Sequence, residues 1–221
     1  MKRDYLVILE KITIEVNMEF MQCWIGKKPK KILNDCINTV RSHITNNDKY
    51  TMISTTNFLN DTSVNWIPYE DYLNELTKDE KIKKFLSIID KYNYKSINTT
   101  KSDIIRFKYA SDNKDVLYVD TDVKLKSLPV FDINKSYFAP NKNRRTTIDS
   151  YIYYNGNNTK LPKIILNKAL DNLLESTNKG SKPTSIRTKA WAFIIFNNIV
   201  IRKQVEKIDH IHFEHLENTR I

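Results

Sequence analysis

The chain has 221 residues, enough for one domain with a sizeable core or two small ones. Its composition, 40% apolar and 28% charged with a net charge of +10, excludes both a disordered chain and a membrane-embedded one. Only three residues are glycine, and Gly26, Gly156 and Gly180 stand too far apart for a Gly-x-Gly-x-x-Gly dinucleotide turn or a Walker phosphate loop.

The longest apolar run, Trp191 to Phe196, is too short to cross a bilayer. Asp4, Glu10, Glu15 and Glu19 interrupt the first twenty residues, which argues against a secretory leader, so a soluble, cytoplasmic chain without a transmembrane segment is expected. Cys23 and Cys36 are the only cysteines and read as reduced core residues.

In chain order, Met1 to Glu19 alternates loosely and predicts a strand or hairpin. Phe20 to Ile25 reads as a buried strand stopped by Gly26 and a basic turn. Ile32, Cys36, Ile37 and Val40 have helical spacing, which predicts a helix over residues 30–43, and Tyr50 to Ser54 predicts the next strand. A strand, a helix and a strand in succession are the signature of a parallel sheet. Polar helices follow between Asp61 and Asn98, the clearest at Lys78 to Tyr92, and Thr100 to Ala110 begins like a helix capped by Thr100 or Ser102. Val116 to Val119 is apolar throughout and reads as a fully buried strand that ends in Asp120-Thr121-Asp122. Beyond a basic loop at Asn141 to Thr147, an aromatic strand spans Tyr151 to Tyr154 and a helix Leu161 to Leu174. Ile186 to Arg202 reads as a helix or a strand pair, and Ile208 to Phe213 alternates like a last short strand. No repeat or linker interrupts the chain, so a single domain is expected.

The charge is unevenly spread. Residues 1–122 hold 19 basic and 18 acidic side chains, whereas residues 123–205 hold 15 and 4. Such a surplus suits a solvated face, a polyanion-binding face or a pocket for a phosphorylated ligand.

Ligands of open α/β sheets bind at the carboxyl ends of strands, which directs attention to Asp120 and Asp122. Residues two apart on a strand project to one side, so the two carboxylates repel each other unless a cation lies between them. A hard divalent ion such as Mn²⁺ or Mg²⁺, completed by water and phosphate oxygens, fits that arrangement and would neutralise a diphosphate leaving group. The bland reading of the same residues is a polar turn that caps a strand.

Three elements stand in order: Trp24-Ile25-Gly26, then Asp103-Ile-Ile-Arg106, then Tyr118-Val-Asp120-Thr-Asp122. Together they resemble the DXD glycosyltransferases of the GT-A fold, in particular the bacterial sugar-transferase family with the pattern W-I-G, D-x-x-R and Y-x-D-x-D. Capsule-type transferases belong to that family, as do, more distantly, the glucosyltransferase domains of large clostridial toxins. The small glycosyltransferase domains of large DNA viruses are similar in length. The resemblance covers residues 20–29 and 101–128. It implies a Rossmann-like α/β domain whose mostly parallel central sheet is flanked by helices. Residues 1–122 would form the nucleotide-binding half and residues 123–221 the acceptor side. It further implies transfer of a hexose from a nucleotide-diphosphate sugar, UDP-linked above all, to a glycan, lipid-linked or protein acceptor. Trp24 would stack on the base beside Gly26. Asp103 and Arg106, one helical turn apart, would hold sugar hydroxyls and diphosphate. Tyr118 would line the pocket, Asp120 would bind ribose or reach the metal through water, and Asp122 would ligate it.

The chain also departs from that family. Lys114-Asp115 stands where a Gly-Gly precedes the tyrosine strand, and the closing C-terminal element is replaced by a cluster with His210, His212 and His215. On a strand, His210 and His212 would share a face and offer the metal a nitrogen. Asn155 and Asn157 are candidates for acceptor contacts through their amides, and Asp149 for a base if the reaction inverts configuration. A competing class is a basic nucleic-acid-binding protein that uses residues 123–205, or a transferase whose acceptor is modified DNA. No zinc finger or RNP motif accompanies the charge, so no stable nucleic-acid partner is expected.

Overall fold

The computed structural model describes residues 17–27, 29–90, 97–140, 148–178 and 205–216. The expected hairpin before Asn17, the basic loop 141–147 and the segment 186–202 therefore lie outside the described residues.

Elements in chain order are β1 (Glu19–Trp24), α1 (Lys31–Arg41), β2 (Lys49–Ser54), β3 (Asn65–Pro68), α2 (Tyr69–Leu76), α3 (Glu80–Asp90), α4 (Ile97–Asp112), β4 (Val116–Val119), β5 (Val123–Leu125), β6 (Ser136–Pro140), β7 (Ile148–Tyr154), α5 (Lys160–Asn178), β8 (Val205–Lys207) and β9 (Phe213–His215). Seven strands form one sheet in the order β3-β2-β1-β4-β7-β6-β8, and β5 pairs with β9 in a second, two-stranded sheet. Strands β3, β2, β1 and β4 are mutually parallel, β7 is antiparallel to both β4 and β6, and β8 returns parallel to β6. The fold is thus the mixed α/β architecture with a mostly parallel sheet and flanking helices that the sequence implies.

Side chains alternate across the strands, so each face of the sheet collects its own core. On one face Met21, Cys23, Ile53, Tyr118, Phe138 and Tyr153 meet the apolar stripes of α2, α3, α4 and α5. On the other, Phe20, Met52, Leu117, Val119 and Ile152 meet Ile37 and Val40 of α1 and the small sheet, through Val123, Leu125 and Phe213. Each such side chain contributes about 1.5–3 kcal/mol when fully buried. The stripe of α1 uses Leu33, Cys36, Ile37 and Val40, so Leu33 replaces the expected Ile32, which is 46% exposed. Helix α4 begins at Ile97, which puts Thr100 and Ser102 inside it rather than at its cap.

Strand order reverses beside β1: β2 and β3 build outward on one side and β4 on the other. The carboxyl ends of β1 and β4 therefore flank a topological switch point, the place where open α/β sheets form a crevice.

At the opposite, amino end of β4 sits Asn155, which is fully buried. Its Oδ1 accepts from the Val116 N–H at 2.8 Å, and its Nδ2 donates to the carbonyls of Ala110 at 2.8 Å and Asn113 at 2.7 Å. Those three bonds tie the end of α4 to the start of β4. They consume the amide that the sequence suggested for acceptor contacts, and they put Asn155 and its exposed neighbour Asn157 at the wrong end of β4 for that role. Gly156 follows at φ +54°, where a Cβ would meet the Ile133 carbonyl oxygen at 2.3 Å, so this turn requires glycine. Removing the Asn155 amide orphans two buried backbone groups and one part-buried one. Asn155→Ala should therefore cost about 3 kcal/mol or more, read as a lowered urea midpoint; a midpoint within error of the parent would contradict this role.

Candidate functional site

Helix α4 ends beside the start of β4, so its first turns lie at the crevice end of the sheet, and this brings Asp103 and Arg106 up to Asp120. Arg106 Nη2 lies 3.0 Å from Asp103 Oδ1 and 2.9 Å from Asp120 Oδ1. The Tyr118 hydroxyl donates to the same Asp120 oxygen at 2.5 Å, and the guanidinium lies over the Tyr118 ring, 4.3 Å from its centroid. Arg106 and Asp103 are only 3% and 5% exposed. The two are thus an i,i+3 ion pair, as their spacing allows, but a buried one shared with a third residue, Asp120, just beyond the end of β4.

Asp120, Thr121 and Asp122 do not continue β4. They form a turn, closed by the Val123 N–H on the Asp120 carbonyl at 3.1 Å. The pleat argument for parallel carboxylates therefore fails, because the chain has already left the strand. Asp120 faces Arg106, whereas Asp122 is buried towards β9, with its Oδ1 3.4 Å from His215 Nε2 and no hydrogen bond among the described residues. The imidazole of His215 lies flat on the Tyr151 ring, 4.6 Å between centroids and 8° from parallel. The Leu216 N–H donates to the Asp122 carbonyl at 2.9 Å, so the C-terminal strand clips the turn in place.

His210 and His212 are not on a strand. Asp209 Oδ1 accepts from the Ile211 N–H and caps a short 3₁₀ turn over His210–His212. His212 Nδ1 lies 2.8 Å from Ser127 Oγ, and His210 sits against Phe213. The turn shifts the strand to Phe213–His215, and the histidine it delivers to Asp122 is His215, in the cluster but not among the two expected ligands. The β5–β9 register, with Val123 opposite His215, is what brings it there.

Across the crevice, half-buried Trp24 closes β1 and donates from Nε1 to the Lys27 carbonyl at 2.6 Å. Gly26 adopts φ +143°, with no heavy atom within 4 Å of where a Cβ would stand, and its N–H donates to Thr55 Oγ1 at 3.0 Å. Glycine is needed there for the backbone conformation, and the space beside it is open. Asp149 stands on β7 at the end that adjoins the carboxyl end of β4. Cys23 is buried behind the site, where burial pushes its thiol up to about 12, so it stays protonated and inert.

Asp103 and Asp120 flank the Arg106 guanidinium, and Asp122 stands two residues beyond Asp120, turned towards β9. Burial, reinforced by the charge of Asp122, pushes Asp120 up to about 6 despite the opposing pull of Arg106. The folded-state value lies above the ordinary 3.8, so the protonated form favours the fold. That contribution is complete below about pH 4 and is lost as pH rises through about 6. The stability of the parent chain relative to Asp120→Asn should accordingly grow as pH falls from 7 to about 4, measured by urea unfolding at each pH; a difference that stays flat or shrinks would contradict it.

No family model and no curated protein matches this chain. Solved structures do. One titled PaToxG glycosyltransferase superposes with a TM-score of 0.55 at 16% identity, over 81% of this chain and 68% of that one. Looser superpositions include the glycosyltransferase GlyE of Streptococcus pneumoniae, with a TM-score of 0.49 at 12% identity over 88% of this chain and 45% of that one. The galactosyltransferase LgtC follows with a TM-score of 0.47 at 10% identity, over 90% of this chain and 86% of that one. The strand order, the crevice at the β1/β4 switch and the first of these superpositions agree on one architecture: the chain has the GT-A glycosyltransferase fold.

Proposed function

We propose that this chain is a metal-dependent glycosyltransferase that moves a hexose from a nucleotide-diphosphate sugar, UDP-linked above all, to a glycan, lipid-linked or protein acceptor. The observation that supports the reading is the charge of the site: on a GT-A scaffold, Asp103 and Asp120 share Arg106, while the Asp122 carboxylate is buried nearby against His215 with no hydrogen bond to its Oδ1 among the described residues. A buried excess of negative charge is costly unless a cation joins it.

The residues present fit a divalent ion. Asp122 Oδ1 is buried without a hydrogen bond among the described residues, and an imidazole nitrogen stands 3.4 Å from it. Carboxylate oxygens with one imidazole form a donor set suited to Mn²⁺ or Mg²⁺. Asp122 would hold the ion, with Asp120 and His215 beside it and the remaining positions left to water and phosphate oxygens; His215 thereby takes the place first given to His210 and His212. Among the described residues no group of three or more metal-binding side chains stands together. When bound, the ion supplies charge neutralisation for the departing nucleoside diphosphate.

The protein's own side chains divide the other tasks. Trp24 offers a flat face to the base, and open Gly26 lets the donor approach the backbone. Arg106, buried between Asp103 and Asp120, holds Asp120 ionised and oriented rather than reaching out to the donor. The basic surplus of residues 123–205 suits the anionic diphosphate and an anionic acceptor.

Release of free nucleoside diphosphate from a panel of nucleotide sugars, with and without Mn²⁺, tests the proposal. Turnover should require the metal, and Asp122→Ala should lower it by at least about 100-fold, roughly 2.7 kcal/mol. Turnover that survives both chelation and Asp122→Ala would sink the metal-dependent reading. A salt-sensitive shift of duplex DNA without any nucleotide-sugar turnover would favour the nucleic-acid alternative.

A further inference from the structure

The crevice opens because two neighbouring strands part. β1 pairs with β2 along its whole length, to Trp24 opposite Ser54, but with β4 only as far as Met21 opposite Tyr118. Where the β1–β4 ladder stops, a side chain continues it: Gln22 Nε2 donates to the Val119 carbonyl at 3.2 Å. Gln22 Oε1 accepts from the Tyr50 hydroxyl at 2.7 Å, which fixes the amide with its nitrogen towards β4.

Both Gln22 and Tyr50 are buried, at 0% and 3% exposure. A buried amide is costly in an apolar core unless it is fully bonded, so packing alone would be served better by methionine or leucine at this position. What the amide secures is a particular peptide group. The Val119 carbonyl and the Asp120 N–H belong to the same plane, and the Asp120 N–H donates to the Tyr151 carbonyl at 2.8 Å. Gln22 from β1 and Tyr151 from β7 thus hold that plane from its two sides, and the plane sets where the Asp120 side chain leaves the backbone.

We infer that Gln22, oriented by Tyr50, is a positioning residue for the Asp120–Asp122 turn: it lets β1 and β4 separate into a crevice while it keeps the carboxylates in register with Arg106 and His215. The inference rests on the proposed metal-dependent reading. Groups that orient metal-binding side chains without touching the metal contribute about 10- to 100-fold to metal affinity when removed.

The test is the dissociation constant for Mn²⁺ alone, followed by loss of the free-ion EPR signal with no nucleotide sugar present. It is measured for the parent chain, Gln22→Met and Tyr50→Phe, with melting temperatures taken in parallel. Gln22→Met should weaken Mn²⁺ binding about tenfold or more, and Tyr50→Phe should weaken it in the same direction by less. A purely structural role would lower the melting temperature and leave the constant unchanged, and that outcome in a folded Gln22→Met overturns the inference. Should Gln22→Met fail to fold, Tyr50→Phe decides the matter, and parental affinity in that variant overturns the inference equally. A parent chain that binds no Mn²⁺ overturns the metal-dependent reading and the positioning role with it, an outcome distinct from equal binding by parent and variants.

Discussion

Everything at the switch point depends on one guanidinium. Arg106, all but removed from solvent, reaches from α4 to Asp103 on its own helix and to Asp120 beyond the end of β4. A buried arginine is tolerable only when it is paired, and once paired it resists loss of either partner. That requirement locks the first turns of α4 against the carboxyl end of β4, and the Tyr118 ring beneath the guanidinium adds a second constraint on where it can lie. The site is therefore rigid on its helix side and shaped on its other sides by the β5–β9 clip and by the bridge from Gln22 to Val119.

The same arginine cannot balance the charge it gathers. Burial opposes the ionisation of Asp120, and the charges of Asp122 and Asp103 add to it against the pull of Arg106. The glycine-poor sequence offers no glycine-rich motif of the kind whose backbone N–H groups cradle phosphate. On the proposed reading, a site whose described residues bring Asp103, Asp120 and Asp122 close together would take up a diphosphate by way of a bridging cation. The surplus of basic residues lies after Asp122 in the chain, outside the nearly neutral half that builds the sheet's switch point.

Much of the scaffold was legible in the chain because burial leaves a pattern. The unbroken apolar run Val116 to Val119 became a strand buried at every position, and the helix read over Lys78 to Tyr92 became α3, with Ile82, Phe85 and Leu86 buried. Strands β3 and β6 were not foreseen: each is short and ends in proline, Pro68 and Pro140, and β3 is the edge of its sheet, where proline is tolerated and the hydrophobic signal is thin. The three motif elements lie on β1, on α4 and at the end of β4, and the structure brings Asp103, Arg106, Tyr118 and Asp120 together. Two local readings failed for identifiable reasons. Alternation over residues 208–213 was misleading because Asp209 caps a 3₁₀ turn, which displaces the strand and substitutes His215 for its neighbours. Asn155 read as an exposed amide because its partners, Ala110, Asn113 and Val116, lie some forty residues away and only the folded sheet brings them to it.

The central claim is that the carboxylate-rich crevice is completed by a divalent cation held at Asp122. The most direct measurement is the anomalous difference density of crystals grown with Mn²⁺ and UDP, recorded near the manganese absorption edge. The account predicts a single strong peak between the Asp122 carboxylate and His215, within reach of the Asp120 carboxylate and of the diphosphate oxygens. Ordered UDP in the crevice with no manganese peak beside Asp122, or a peak confined to surface carboxylates elsewhere, would contradict it.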